Sequence, residues 1–155
     1  MTFEQGMNMK RKIRALAACA FLALPAVSSL AADLDVVVEN IRNANGNLII
    51  ALYSPDTQQA FPAHPDKALR KIQVPAKEGK QTVHVENVSE GNFAVTIVHD
   101  ENGNGTMDHN FLGMPREGFG FSNNPKVRFS LPSFEAASFH MTSGAKEISI
   151  SLTYW

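Results

Sequence analysis

The chain holds one cysteine among its 155 residues, Cys19, and it lies in an apolar stretch near the N-terminus. Leu16-Ala17-Ala18-Cys19 has the outline of a lipoprotein signal box. Arg14 stands only two residues before Leu16, however, and leaves no apolar region before the cleavage point, so Cys19 reads as a small apolar residue. Other features are absent as well. No segment reaches the about 20 consecutive apolar residues that a spanning helix needs. No basic run follows Arg14, which removes the attraction to nucleic acid or anionic lipid. No segment carries three turns of helical apolar spacing. The chain has no Ser-His-Asp order, phosphate-binding loop or dinucleotide fingerprint. It also lacks the H-x-x-x-H and H-x-E spacings of zinc sites.

The N-terminal segment has the order of a secretory leader. Lys10, Arg11, Lys12 and Arg14 form a basic cluster, Ala15 to Val27 is an apolar run broken by Pro25, and Ser29-Leu30-Ala31 places small residues at a cleavage site. Met7 and Met9 offer alternative starts. Cleavage after Ala31 assigns residues 1–31 to a signal peptide and 32–155 to one domain, a length that suits a single core. The leader takes four of the 14 Lys and Arg residues and Glu4 from the 15 Asp and Glu, so the net charge moves from −1 to −4. The mature chain then has no cysteine. It cannot use disulfides, although it is directed to the periplasm or the exterior, and thiol chemistry is excluded.

Period-two alternation recurs along residues 32–155. Leu34, Val36 and Val38 alternate with Asp35, Val37 and Glu39. After Asn45-Gly46, a strong hairpin signal, Leu48, Ile50 and Leu52 alternate with Ile49, Ala51 and Tyr53. Further strands are expected over 69–74, 82–86, 93–98, 126–131 and 147–154. Phe134 to Phe139 reads as a helical turn or a strand, and Ser133 favours the turn. About seven short strands with turns between them predict an all-β fold, a single antiparallel β-sandwich with one polar face per sheet. A proline-stiffened loop over 54–66, with Pro55, Pro62, Pro65 and Phe61, is expected to cover a sheet edge or one end of the sandwich.

The stretch from His99 to Asn124 is dense in Gly and Asn, residues that accept positive φ and bond their own backbone. Spaced aromatics (Phe111, Phe119 and Phe121) make it an ordered loop. Asp100-x-Asn102-x-Asn104-Gly105, followed by Asp108, matches the opening of a calcium loop, in which side chains at alternate positions converge on one cation. Phe111 stands where an EF-hand carries its bidentate Glu, and a strand enters the loop. The remaining candidate is a shorter, weak Ca²⁺ site at Asp100, Asn102, Asn104 and Asp108, completed by Glu101, Glu117 or a carbonyl. The same residues can instead bond one another through Asx turns with no ion. Both readings stay open on sequence.

His99 shares the alternation face of Phe93, Val95 and Ile97. It is expected to be a half-buried residue that anchors the loop by a ring N–H bond. A metal-dependent hydrolase built from His99, Asp100, His109 and Glu117 is the competing reading, and a purely structural envelope protein with an ion-free loop is a third. His84 is expected to face solvent.

Two blocks of residues carry a family resemblance. Gly91-Asn92-Phe93-Ala94-Val95 leads to His99-Asp100-Glu101-Asn102-Gly103-Asn104-Gly105. Then comes Gly113-Met114-Pro115-Arg116-Glu117-Gly118-Phe119-Gly120-Phe121-Ser122-Asn123-Asn124. Together they resemble the exported bacterial proteins grouped as domain of unknown function 2141. Val85 to Val95 also looks like the strand pair of prealbumin-like and carboxypeptidase-regulatory-like sandwiches. The resemblance implies an Ig-like or prealbumin-like sandwich and export, and leaves the activity open. Within the motif, Pro115, Glu117, Phe119 and Phe121 join His99 as expected loop anchors. The resulting expectation is an exported, monomeric, non-enzymatic module with a protein or small-molecule partner and no cofactor other than calcium.

Overall fold

The computed structural model describes residues 31–128 and 130–155, so the signal peptide read over 1–31 lies, apart from Ala31, outside the described residues. Eight strands form two sheets. The smaller sheet pairs β4 (Gly79–Val88), β1 (Ala32–Ile41) and β8 (Lys146–Ser151) in that order. The larger runs β3 (Arg70–Pro75), β2 (Asn47–Tyr53), β5 (Gly91–Asp100) and β6 (Gly118–Phe121), and β7 (Phe139–Met141) pairs with the start of β5. The expected β-sandwich is therefore present, with minimal helix. One pair departs from the antiparallel expectation: β1 and β8 run parallel, from Leu34 opposite Lys146 to Glu39 opposite Ser151. Local alternation marks a strand but carries no information about the direction of its partner.

The alternating residues place the main core between the sheets. Leu34, Val36 and Val38 of β1, Val83 and Val85 of β4, and Ile150 of β8 meet Leu48, Ile50, Leu52, Phe93, Val95 and Ile97 of the larger sheet. Burying side chains of this kind stabilises a fold by about 1.5–3 kcal/mol each. Asn45-Gly46 does not close a hairpin, because β1 and β2 belong to different sheets. The turn carries the chain across the sandwich, and Gly46, with φ +61°, lies so close to Asp100 that an added Cβ would sit 1.9 Å from its carbonyl oxygen.

The outer face of the larger sheet is not polar. Ala51, Tyr53, Ala94, Phe119 and Phe121 form a second buried cluster. Phe134 and Ala137 of α1 (Phe134–Ala137) cover it, and Phe61 packs on it with its ring edge-on to Tyr53, Phe121 and Phe134. The proline loop thus covers a sheet face, where the sequence suggested an edge or an end. Ser133 caps α1 as expected, accepting from the Ala136 N–H at 3.3 Å. The expected strand over 126–131 is absent among its described residues, and Phe129 lies outside them. Asn123 and Asn124 both take positive φ and turn the chain away, and Pro125 and Pro132 flank the segment.

Sequence alternation missed two strands, the three-residue β7, which begins where the expected turn over 134–139 ends, and β6, read as loop because it is Gly-Phe-Gly-Phe. Its phenylalanines face the outer cluster. Its glycines face the C-terminal chain, where a Cβ on Gly118 would lie 2.3 Å from the Tyr154 ring and one on Gly120 would lie 2.7 Å from Ile150. Phe119 and Thr153 exchange backbone hydrogen bonds at 3.1 and 2.8 Å, which joins the two sheets along this side. Asn124 caps the adjoining edge of β8. Its side chain donates to the Ser149 carbonyl and accepts from the Ser151 N–H, both at 2.9 Å.

Gly118→Ala is therefore expected to lower stability by about 1–3 kcal/mol, the usual cost of overpacking. Gly144→Ala, with open space at its Cβ, should stay within about 0.5 kcal/mol. Urea unfolding of the two variants checks this. Equal stabilities would mean that the close approach at Gly118 has no energetic weight.

Candidate functional site

β5 delivers His99 and Asp100 to the end of the sandwich, both fully buried. The His99 ring is held at both nitrogens: Nε2 lies 2.9 Å from the Asn45 carbonyl and Nδ1 2.9 Å from the Tyr154 hydroxyl. A carbonyl can only accept, so Nε2 carries the proton. The Tyr154 oxygen accepts from the Arg42 N–H at 3.2 Å and its O–H donates to Nδ1. His99 is thus a buried anchor held at both ring nitrogens, more deeply placed than its strand-end position suggested. Gly118 leaves the space in which the Tyr154 ring reaches it.

Around this anchor the charges pair off. Arg42 grips Glu101 with two nitrogens, Nε at 2.9 Å, and lies 4.4 Å over the Tyr154 ring. The hydrogen bond from Arg42 holds the Glu101 carboxyl below its ordinary pKa. Burial pushes the Tyr154 phenol up. Glu117 spans the base of the loop, accepting from the Glu101 N–H and the Asp108 N–H, each at 3.1 Å. It is 4% exposed. Burial raises its pKa, and the charges of Asp100 and Asp108 push in the same direction.

The four residues expected at a calcium site occupy one loop. Asp100 accepts from the backbone N–H of Asn104 at 3.1 Å and of Gly105 at 2.8 Å. Asp108 accepts from the side-chain amides of Asn102 at 2.6 Å and Asn104 at 3.2 Å. The amide oxygens of those asparagines accept from the N–H of Asn104 and of Thr106. Nearly every oxygen in the loop is engaged, in the pattern of consecutive Asx turns. A cation here would compete with these bonds and would require both amides to turn.

The hydrolase constellation does not assemble. His99 is buried with both nitrogens occupied, while His109 is exposed. Among the described residues no three His, Cys, Asp or Glu side chains are arranged as a metal-binding group. Arg116 is exposed, and its carbonyl accepts from Arg42.

The rest of the long motif has structural work. Pro115 pairs with His109 across a short hairpin whose turn is fixed by Asn110, accepting from the N–H groups of Leu112 and Met114. This hairpin holds Phe111, one of the spaced aromatics that predict an ordered loop, at 95% exposure. Phe119 and Phe121 do pack inward. Ser122 accepts from the Val95 N–H at 2.8 Å and donates to the Ala137 carbonyl at 2.5 Å. Asn123 donates to the Ser138 carbonyl at 2.6 Å.

What this scaffold frames is a cleft that motif reading did not find. Ile49, Thr96, Val98, Phe119 and Phe121 line it from the outer face of the larger sheet. Pro62 and Pro65 of the proline loop form one wall, and Met107 and Pro115 of the acidic loop form the other. Its volume is about 330 Å³, within the range of small-molecule sites. A signal for it existed in the sequence: β2 and the Ala94-Thr96-Val98 row of β5 are nearly free of charge on the face expected to be polar.

The family described as "Uncharacterized protein conserved in bacteria (DUF2141)" matches residues 36–149, and the chain belongs to it. No curated protein matches the chain, and no solved structure does.

The raised Glu117 pKa gives a pH signature. Between neutral pH and the ordinary glutamate value near 4.5, the fold takes up this proton before the unfolded chain does. Glu117 therefore adds stability as pH falls through that window. Glu117→Gln leaves a backbone N–H facing an amide N–H and should cost about 1–3 kcal/mol at pH 7. In chelator, the gap between the two proteins should widen from pH 7 to about pH 5.5. A gap that stays constant, measured by urea unfolding, would contradict the assignment.

Proposed function

We propose that this family member is an exported, non-enzymatic binding module that holds a small, largely apolar ligand in the cleft between the proline loop and the acidic loop. One observation carries this reading. The outer face of the larger sheet is apolar along β2, β5 and β6, and beside its cover of Phe61, Phe134 and Ala137 a cleft remains against the buried Ile49 and Thr96 and the half-buried Val98. A pocket of this size, apolar with a few polar groups at its edge, is the usual form of a ligand site. Among the described residues His99 and His109 do not converge with a carboxylate in a metal-binding group, which favours binding over metal-dependent hydrolysis. Export to the periplasm or beyond, with cleavage after Ala31, rests on the basic and apolar leader, and the protein acts as a monomer.

The uncharged fluorophore N-phenyl-naphthylamine tests the cleft directly. The protein is expected to bind it with enhanced emission, and Val98→Trp, which fills the cleft from a half-buried position, should weaken binding about tenfold or more, roughly 1.4 kcal/mol. Equal binding by a folded Val98→Trp protein would refute the site.

A second reading concerns the loop that forms one wall. Asp100, Asp108 and Glu117 bring three carboxylates close enough for the first two to raise the pKa of the third. Calcium at Asp100, Asn102, Asn104 and Asp108 would offset that repulsion, with an affinity of about 10⁻⁴–10⁻³ M as in extracellular modules. In this reading about 10 mM calcium raises stability by about 1.4–2.7 kcal/mol over chelator, several degrees in Tm. Asp108→Asn abolishes the increment. An unchanged Tm in the parent protein leaves the self-bonded loop as its full description.

A further inference from the structure

Tyr53 is fully buried, yet its hydroxyl has no hydrogen-bond partner. An unpaired phenol in an apolar layer is costly, and native folds retain such groups sparingly. Its surroundings suggest a use. Tyr53 lies opposite Ala94 in the register of β2 with β5, and Thr96 is the next residue of β5 on that face. Tyr53 and Thr96 are therefore diagonal neighbours on the outer face. Thr96 sits between Ala51 on one side and Phe121 on the other, 5% exposed, and it lines the cleft.

A threonine hydroxyl can accept one bond and donate another. Among the described residues no Lys or Arg lines the cleft; its one carboxylate, Asp66, is paired with Lys71, and its one histidine, His109, is exposed. An anionic ligand would find no permanent counter-charge there, and a cationic one would lose its hydration against apolar walls.

We propose that the cleft selects apolar ligands bearing one uncharged hydrogen-bond acceptor, such as a ketone or ester carbonyl, which takes a bond from the Thr96 hydroxyl while that hydroxyl accepts from Tyr53. The inference rests on the cleft reading above and names its ligand class. Thr96 is the contact residue and Tyr53 the positioning residue.

Benzylacetone and butylbenzene are a matched pair of probes, similar in shape and differing in one carbonyl. Displacement of the fluorophore should show the ketone bound about five- to tenfold more tightly than the hydrocarbon, the worth of one hydrogen bond. Thr96→Val, nearly isosteric and at home in a strand, should bring the two probes to equal affinity. Tyr53→Phe should remove part of the preference and leave hydrocarbon binding unchanged. Val98→Trp should weaken both probes alike. If the parent protein binds both probes equally and Val98→Trp still excludes both, the carbonyl selection is overturned and the cleft stands. If neither probe binds, or Val98→Trp binds both as the parent does, the cleft reading falls and this inference falls with it. A preference that Thr96→Val removes but Tyr53→Phe leaves whole would overturn the role of Tyr53.

Discussion

Two glycines set the terms for the rest of this molecule. Gly118 and Gly120 give β6 a side with no side chains, and the C-terminal chain lies directly against it, with Tyr154 over the first and Ile150 over the second. Larger residues would hold the sheets apart at this edge. With them absent, Phe119 and Thr153 bond backbone to backbone and connect the five-stranded sheet to the three-stranded one. The opposite edge of the sandwich is joined by side chains, Arg70 of β3 reaching the carbonyls of Glu86 and Asn87 on β4.

The site follows from that contact. Tyr154, seated on Gly118, meets His99 and shares its hydroxyl with the Arg42 N–H. Arg42 in turn fixes Glu101, and Glu101 and Asp108 hang their N–H groups on Glu117, the residue just before Gly118. The acidic loop is thereby held at both ends against one point of the scaffold. Its stretch from Gly105 to Met107 stands beside the outer sheet face and walls the cleft. In this family member the motif residues from Gly113 to Asn124 are largely architecture. Their collective product is the wall and floor of a pocket whose binding surface is contributed by residues with no motif character, Ile49, Thr96 and Val98.

Much of the fold was legible in the sequence because burial on one face imposes period two. β1, β4 and β8 alternate cleanly and emerge close to their expected bounds. β6 was not legible, since its alternation is between glycine and phenylalanine and four residues carry too little pattern. The opposite error arose over 126–131, where alternation is present but positive φ at Asn123 and Asn124 redirects the chain. Asn45-Gly46 likewise signals a turn without saying whether the turn stays in one sheet. As for the site, the residues of the acidic loop were recognisable by composition, and their mutual bonding matches the Asx reading of the same letters. The cleft was hidden for a physical reason. It depends on which parts of an apolar sheet face the covering loops leave open, and that is decided by the tertiary course of residues 54–66 and 105–115.

The claim that the β6 contact underlies both sheet closure and the site is most directly tested by native-state amide hydrogen exchange. The N–H groups of Phe119 and Thr153 should exchange only through global unfolding, with the same free energy and denaturant dependence as the interior amides of β5, because the fold offers no smaller opening that parts the two sheets here. Exchange of these two amides through a local, denaturant-independent opening, several kcal/mol below the global value, would show that the C-terminal chain detaches while the sandwich stays folded, and would contradict the account.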